Sequence, residues 1–369
     1  MRIAFLLPDL RMGGAERATV DLVRAIAAAG HEPEFLVLQP GGELAAEAAR
    51  TAPVVSLDCQ RLRQLPAVLA RHLRTAQPNA LVAAMWPLTV IGPVVARASH
   101  PACRTLAVEH ALLSHQYRGR GALHAMALRA SLAVGVRTAH ARVAVSAGVA
   151  EDVSRLGALR AREIAVIANP VPVRSPPSPA AIAEAEQLWE APRGHRILTV
   201  GRMKPEKNHQ LMIQAFDRLA GNVGDAKLML VGSGECESML RACVAGSDLV
   251  GRVIFAGMQP DPSAFYETAD LFVLSSDQEG FGLVLVEAMQ AELRIVATDC
   301  PSGPADILEG GRHGRLVAPG DAVALAEAMH DALERAAPPA EQLMRRAQDF
   351  LPERAAQAYL RLLGAQGEA

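Results

Sequence analysis

Lysine is nearly missing from this 369-residue chain: only Lys204, Lys207 and Lys227 occur. A Schiff-base chemistry of the pyridoxal type would have to use one of those three. Aromatic residues make up 4% of the chain, too few stacking platforms for a single-strand nucleic-acid binder, and no nucleic-acid partner is expected. Five cysteines, with Cys236 and Cys243 seven apart, show neither paired nor zinc-finger spacing. They point to reduced thiols, not to a disulfide framework or a cysteine-held metal. No apolar run approaches the ~20 residues a membrane-spanning helix needs. The opening Met1-Arg-Ile-Ala-Phe-Leu-Leu-Pro-Asp9 is too short an apolar stretch for a signal peptide and reads as a first strand. Neither GxGxxG nor DxD occurs, so the dinucleotide fingerprint is absent and no metal site is expected.

What is present is half hydrophobic and about a fifth charged, enough apolar material for roughly two domains of ~150 residues. The net charge of −2 hides an asymmetry. Residues 1–175 hold 20 Arg against 12 Asp and Glu, a balance of +8, whereas residues 176–369 carry −10. A basic half suits an anionic partner such as a membrane surface or a phosphorylated substrate. Mutual attraction of the two halves is the plainer reading.

Short apolar runs alternate with helical patterns along the whole chain. Strands are expected over 2–7, 34–38, 54–57, 80–85, 105–108, 143–146 and 164–167. Helices are expected over 15–29, 63–76, 88–98 and 121–140. The alternation halts at Asn169–Pro179, a stiff segment with five prolines, and then restarts. Strands follow over 196–200, 227–231, 253–256, 271–275 and 295–298, and helices over 208–220, 235–245, 262–269, 283–291 and 321–336. Repeated β-α alternation predicts buried parallel sheets, and two such series predict two doubly wound α/β domains with a cleft between them. In such folds ligands sit at the carboxyl ends of the strands. The boundaries fall at 1–174 and 175–351.

Four strand ends carry polar chemistry. Leu271-Phe-Val-Leu-Ser-Ser-Asp-Gln-Glu279-Gly-Phe281-Gly282-Leu283-Val-Leu-Val-Glu287 reads as strand, loop and helix. Helix starts offer unpaired amides to anions, and the glycines allow close backbone approach. Glu279 and Glu287 are suited to paired hydroxyls, although a helix-start acid with a surface glutamate has the same pattern. Val200-Gly201-Arg202-Met-Lys-Pro-Glu-Lys207-Asn208 sets two cations after a strand. Arg offers a planar fork to phosphate oxygens and Lys a compact charge; solvated surface cations are the alternative. Gly13-Gly14 and Gly232-Ser-Gly234 form amide-rich turns, against a ligand or a neighbouring loop. His110, in Val108-Glu-His-Ala111, serves either chemistry or a structural hydrogen bond.

Together these residues resemble the retaining glycosyltransferases of family four, which have the two-Rossmann GT-B fold. The resemblance rests on Gly13-Gly14-Ala15-Glu16-Arg17, Glu109-His110, Gly201-Arg202 through Lys207-Asn208, Gly232-Ser233-Gly234 and the E-x7-E signature Glu279 to Glu287. It implies that Arg202 and Lys207 hold the donor diphosphate and that Glu287 binds ribose hydroxyls. It further implies that Glu279 contacts the transferred sugar, with Phe281, Gly282 and Leu283 nearby. Gly14 would bring an amide to the diphosphate, and His110 would sit near the sugar. Gly257 and Met258 lie in a stretch resembling the one that lines the base. No cofactor is implied beyond the nucleotide-sugar donor. The final segment, 352–369, is expected to pack back on the N-terminal domain.

Thr298–Leu308 resembles a pattern in bacterial enzymes that add hexoses or N-acetylhexosamines to undecaprenyl-diphosphate-linked glycans or polysaccharides, mostly from UDP-sugars. Asp306 stands where that group commonly has Glu. Donors with another base, such as GDP-mannose, stay open, as do a GT-B epimerase and a two-domain sugar-binding protein. Arg118, Arg120, Arg129 and Arg137 lie among apolar residues, with Arg129 and Arg137 on roughly one face of a helix. They suit an acceptor diphosphate or the anionic inner face of the cytoplasmic membrane, or else a solvated Arg-rich surface.

Overall fold

The computed structural model describes residues 1–335 and 338–365. The chain divides into two compact units. One is Met1–Pro172 together with residues 350–365, residues 366–369 of the expected packing segment lying outside the described residues; the other is Val173–Asp349.

The first unit is built on seven parallel strands: β1 (Arg2–Leu7), β2 (Glu32–Val37), β3 (Val54–Ser56), β4 (Ala80–Ala84), β5 (Arg104–Glu109), β6 (Ala141–Ala144) and β7 (Ala165–Val166). Their order is β3-β2-β1-β4-β5-β6-β7. The chain winds outward from β1, returns to its other side at β4 and winds outward again. The reversal lies between β1 and β4, the switch point where a doubly wound sheet leaves room for a ligand. β1 is apolar on both faces because helices cover both. Ile3, Phe5 and Leu7 enter one core, and Ala4 and Leu6 the other, as the two-residue period of a strand requires. Helix Pro352–Leu362 lays Ala355, Ala356, Tyr359 and Leu360 into the first of these cores, beside Val20 and Val23 of helix Gly14–Ala28. Burying each large apolar side chain contributes about 1.5–3 kcal/mol, so this helix is integral to the unit.

The second unit holds six parallel strands: β8 (Arg196–Val200), β9 (Lys227–Val231), β10 (Val253–Gly257), β11 (Leu271–Leu274), β12 (Arg294–Thr298) and β13 (Arg315–Val317). Their order is β10-β9-β8-β11-β12-β13, and here the reversal lies between β8 and β11. The loops after β8 and β11, which carry the two richest motifs, therefore leave neighbouring strands at the switch point.

Three differences from the sequence reading have physical reasons. Pro179 does not belong to the linker; it is the first residue of helix Pro179–Trp189, capped by Ser178, a position where its missing amide costs nothing. β13 is a three-residue edge strand, too short to show a pattern. The helix expected over 121–140 is α-helical only over Ala122–Ser131 and continues as a π turn, Leu132–Val136. The π turn takes in about one extra residue, so the eight-residue spacing of Arg129 and Arg137 behaves like seven in an α-helix and keeps them on roughly one face.

Candidate functional site

In the second unit the loop after β8 and the loop after β11 are bolted together. Lys207 Nζ donates to Glu279 Oε1 at 2.6 Å, and Ser276 Oγ donates to the same oxygen at 2.7 Å. Ser275 Oγ donates to the Lys207 carbonyl at 3.0 Å. Asn208 Nδ2 reaches Asp277 Oδ1 at 2.8 Å, and the Asp277 amide reaches the Glu206 carbonyl at 2.9 Å. Glu279 is buried, with its side chain 7% exposed, against 26% for Lys207. A carboxylate this secluded needs both a countercharge and hydrogen bonds, and it has them. Asn208 holds a left-handed conformation (φ 43°) and caps helix His209–Ala220 through its side chain. That tight turn brings Lys207 to the sheet edge. Arg202 stands exposed on the same loop.

The glycines explain how closely the backbone is packed. Gly232 has φ 135°, and a Cβ there would lie 2.1 Å from the Gly201 carbonyl oxygen. Its amide donates to the Gly257 carbonyl at 2.7 Å, while the Gly201 amide donates to the Val231 carbonyl at 2.9 Å. Gly201, Gly232 and Gly257 thus brace one another across the ends of β8, β9 and β10. Of the two readings of Gly232-Ser-Gly234, the structure supports packing on a neighbouring loop. Met258, the next residue, is 46% exposed.

Gly282 (φ 105°) caps helix Leu283–Gln290, and Phe281 beside it is buried. Sequence reasoning missed what backs this turn. Gly303 has φ 90°, and a Cβ there would sit 2.0 Å from the Phe281 carbonyl oxygen. Ser302 Oγ donates to the Gly280 carbonyl at 3.1 Å. Ser302-Gly303 after β12 is therefore the wall of the Glu279–Gly282 turn; the Ser-Gly-Pro composition was its only signal. Asp306 is exposed, and its carbonyl accepts from Arg346 Nη2 at 2.6 Å.

Glu287 lies one turn into the helix, with a side chain 10% exposed. Its Oε1 accepts from Arg174 Nη2 at 2.6 Å and its Oε2 from the Tyr266 hydroxyl at 2.8 Å. Arg174 was counted only as charge, and Tyr266 was not singled out. Nothing in their sequence context marks either, because the contacts join positions 113 and 21 residues from Glu287.

In the first unit, Gly14 opens helix Gly14–Ala28. The Glu16 side chain folds over this turn: a Cβ on Gly13 would meet Glu16 Oε2 at 2.2 Å. Glu109 ends β5, fully buried; its Oε2 accepts from the Trp86 amide at 3.2 Å and its Oε1 from the Thr89 hydroxyl at 2.5 Å. Burial, helped by the Asp152 charge and opposed by those two hydrogen bonds, pushes Glu109 up to about 7. Burial pulls His110 down to about 4, against the small opposing effect of its hydrogen bond to Asn169, so its ring is neutral near pH 7. His110 Nδ1 is buried without a partner among the described residues.

Arg118, Arg120 and Arg129 are exposed. Arg137 is exposed as well, and it donates to the Ala133 carbonyl at 2.6 Å and to the Ala158 carbonyl at 2.5 Å. Among the described residues no helix is long and apolar enough to cross a membrane, and no cluster of three or more His, Cys, Asp or Glu is arranged to hold a metal ion.

The architecture and these loops define the class. The Anabaena protein HepE, crystallised with UDP and glucose, superposes with a TM-score of 0.85 over 99% of this chain and 100% of its own, at 22% identity. The fold is GT-B. Profiles for Glycosyltransferase Family 4 and for Glycosyl transferases group 1 match residues 12–175 and 194–335, most of the chain between them. The chain belongs to the family four glycosyltransferases. LpsE of Rhizobium meliloti, a lipopolysaccharide core biosynthesis glycosyltransferase, is 28% identical over 86% of this chain and 84% of its own. A lipopolysaccharide 1,6-galactosyltransferase of Salmonella typhimurium is 31% identical over 48% of each. The chain spans between 28% and 48% of the length of several curated relatives it matches.

Proposed function

We propose that this protein moves a hexose or N-acetylhexosamine from a UDP-sugar to a bacterial glycan acceptor, a lipid-diphosphate-linked glycan or a polysaccharide, with retention of configuration and without a metal. The observation that carries the reading is the Lys207–Glu279 pair, held by five hydrogen bonds at the switch point of the second unit. UDP and glucose in the crystal of HepE, and the lipopolysaccharide activities of the named relatives, support the donor and the acceptor class.

The chemistry follows from charge. When the bond from the anomeric carbon to the diphosphate breaks, the sugar becomes oxocarbenium-like and negative charge grows on phosphate. Fixed cations aimed at that charge are the largest available source of rate, ~3 kcal/mol for a single donor. Arg202 and Lys207 take that role. Lys207 already carries a partner, so it turns from Glu279 toward phosphate when the donor binds. Glu279 is thereby released to accept from the sugar hydroxyls, and Glu287 accepts from the ribose. In the first unit, a neutral His110 offers a hydrogen-bonding ring without an added charge.

Helix Ala122–Ser131 supports a membrane-borne acceptor. Only Leu128 of its ten residues is buried, while Leu123 is 81% and Met126 63% exposed. Exposed apolar side chains among Arg118, Arg120 and Arg129 suit an anionic bilayer surface.

Calorimetric titration with UDP, GDP and ADP, in chelator and then in magnesium, tests the donor reading. Selective UDP binding without metal is the expected result. A preference for GDP moves the donor to the mannose type, and no binding to any nucleotide overturns the site. The anomeric configuration of the product by proton NMR tests retention.

A further inference from the structure

We propose that Tyr266 and Arg174 are positioning residues that set the Glu287 carboxylate for the two ribose hydroxyls of the donor nucleotide, and that Arg174 also neutralises it so that an anionic nucleotide can approach. The inference rests on the proposed donor reading and adds to it the two residues on which the ribose grip depends.

The geometry is a closed set of contacts from three parts of the second unit. Glu287 projects from helix Leu283–Gln290, Tyr266 from helix Ser263–Thr268, and Arg174 from the proline-rich segment. The Tyr266 ring is 2% exposed, and burial beside Glu287 raises its hydroxyl well above the ordinary phenol range, so it remains a donor. Among the described residues it donates to Glu287 Oε2, at 2.8 Å. Arg174 uses one guanidinium nitrogen on Glu287 Oε1 at 2.6 Å and the other on Asp261 Oδ1 at 3.0 Å. Asp261 is itself held, accepting from the Ser263 amide at 3.0 Å and from the Ser263 hydroxyl at 2.5 Å. The fork is therefore anchored at both ends, as a planar guanidinium permits and an ammonium does not.

A carboxylate has about four lone-pair positions. Tyr266 and Arg174 take one on each oxygen and leave one on each. Those two remaining positions match two vicinal hydroxyls. The charge argument is separate. Without Arg174, a half-buried carboxylate would stand beside an incoming diphosphate with no countercharge of its own, since the second cation of the unit's site, Lys207, pairs with Glu279.

The test compares a nucleotide that has the hydroxyls with one that lacks them. Calorimetry of the full chain with UDP and with 2′,3′-dideoxyuridine diphosphate reads the hydroxyl contribution directly. Wild type is expected to bind UDP at least 10-fold more tightly. Y266F keeps the ring and is expected to lose about 5–10-fold in UDP affinity and nothing for the dideoxy compound. R174Q is expected to lose 10-fold or more for UDP, with a smaller loss for the dideoxy compound from charge alone; R174K restores the dideoxy affinity but not the discrimination. Equal losses for both nucleotides in Y266F, with melting as in wild type, make the contact merely structural and overturn the inference. Unchanged discrimination in both variants overturns it as well. A wild type that binds UDP and the dideoxy compound equally removes the ribose role of Glu287 itself, a failure of the donor reading that these variants then need not explain.

Discussion

The two units share one topology and treat its switch point in opposite ways. In the second unit the loops after β8 and β11 are charged and cross-braced: Lys207 to Glu279, Asn208 to Asp277, Ser275 to the Lys207 backbone. In the first unit the loop after β1 carries a pair within itself, Arg11 to Asp9 at 2.8 Å, and the polar work beside it is buried, with Glu109 holding the Trp86 amide and the Thr89 hydroxyl. The difference teaches where each half is constrained. On the proposed reading, the braced loops hold Lys207 and Glu279 in place until a diphosphate draws Lys207 away. The first unit keeps a buried polar frame and leaves apolar side chains on its surface, in helix Ala122–Ser131.

The largest expected effect lies in the braced half. Lys207→Ala should lower turnover by about 10²–10³, the scale for losing one preorganised donor to developing charge. Glu279→Gln should lower turnover strongly while leaving thermal melting near wild type, since glutamine still accepts from Ser276. Wild-type transfer rates in both variants, measured with a UDP-sugar donor, would erase the contrast between the units. Next comes Gly303→Ala. A methyl group there meets the Phe281 carbonyl, and φ 90° is strained for alanine, a cost of about 1–3 kcal/mol. Gly224→Ala, with open space and no left-handed φ, is the control and should be near neutral. Differential scanning calorimetry separates the two; equal melting would show that the wall behind the signature turn is soft.

The legibility of the sequence follows the same division. The parallel sheets, the two series of strands and the loops at Arg202–Lys207 and Glu279–Glu287 were readable, because glycine, charge and strand ends are local signals. Pairing of Lys207 with Glu279 was not readable, for 72 residues separate them. Arg174, Tyr266 and Gly303 were invisible as site residues: each matters through what it touches across the fold. Arg137 shows the converse. Its spacing from Arg129 was readable and the π turn Leu132–Val136 keeps the shared face, but its bonds to two carbonyls were not readable.

The surface half is tested by replacing Leu123 and Met126 together with glutamate. Both are exposed, so folding should be unaffected. Flotation with vesicles of anionic lipid at low salt should fall by about 10-fold, and wild-type binding should weaken as salt screens the arginines. Wild type that fails to float, or a double variant that floats equally well, would leave the helix as ordinary surface and narrow the contrast between the units to the donor site.

The last effect belongs to Glu109 and is read only against pH. Its folded carboxyl titrates at about 7, above the ordinary carboxylate value of 4.5. Between those values the folded chain keeps a proton that the unfolded chain releases. Stability from this group is therefore full at low pH and declines as pH rises through that window, by about 3 kcal/mol at most. His110 works in the other direction: its folded pKa of about 4 lies below the ordinary 6.5, so its contribution is full above 6.5 and is lost as pH falls. Glu109→Gln keeps the shape and an acceptor for the Trp86 amide but cannot ionise. Its melting temperature should fall less than that of wild type between pH 5 and pH 8, and the difference between the two profiles isolates Glu109 from His110. Parallel profiles would mean that Glu109 titrates at its ordinary value, and that the buried frame of the first unit tolerates a charge as readily as the braced loops of the second.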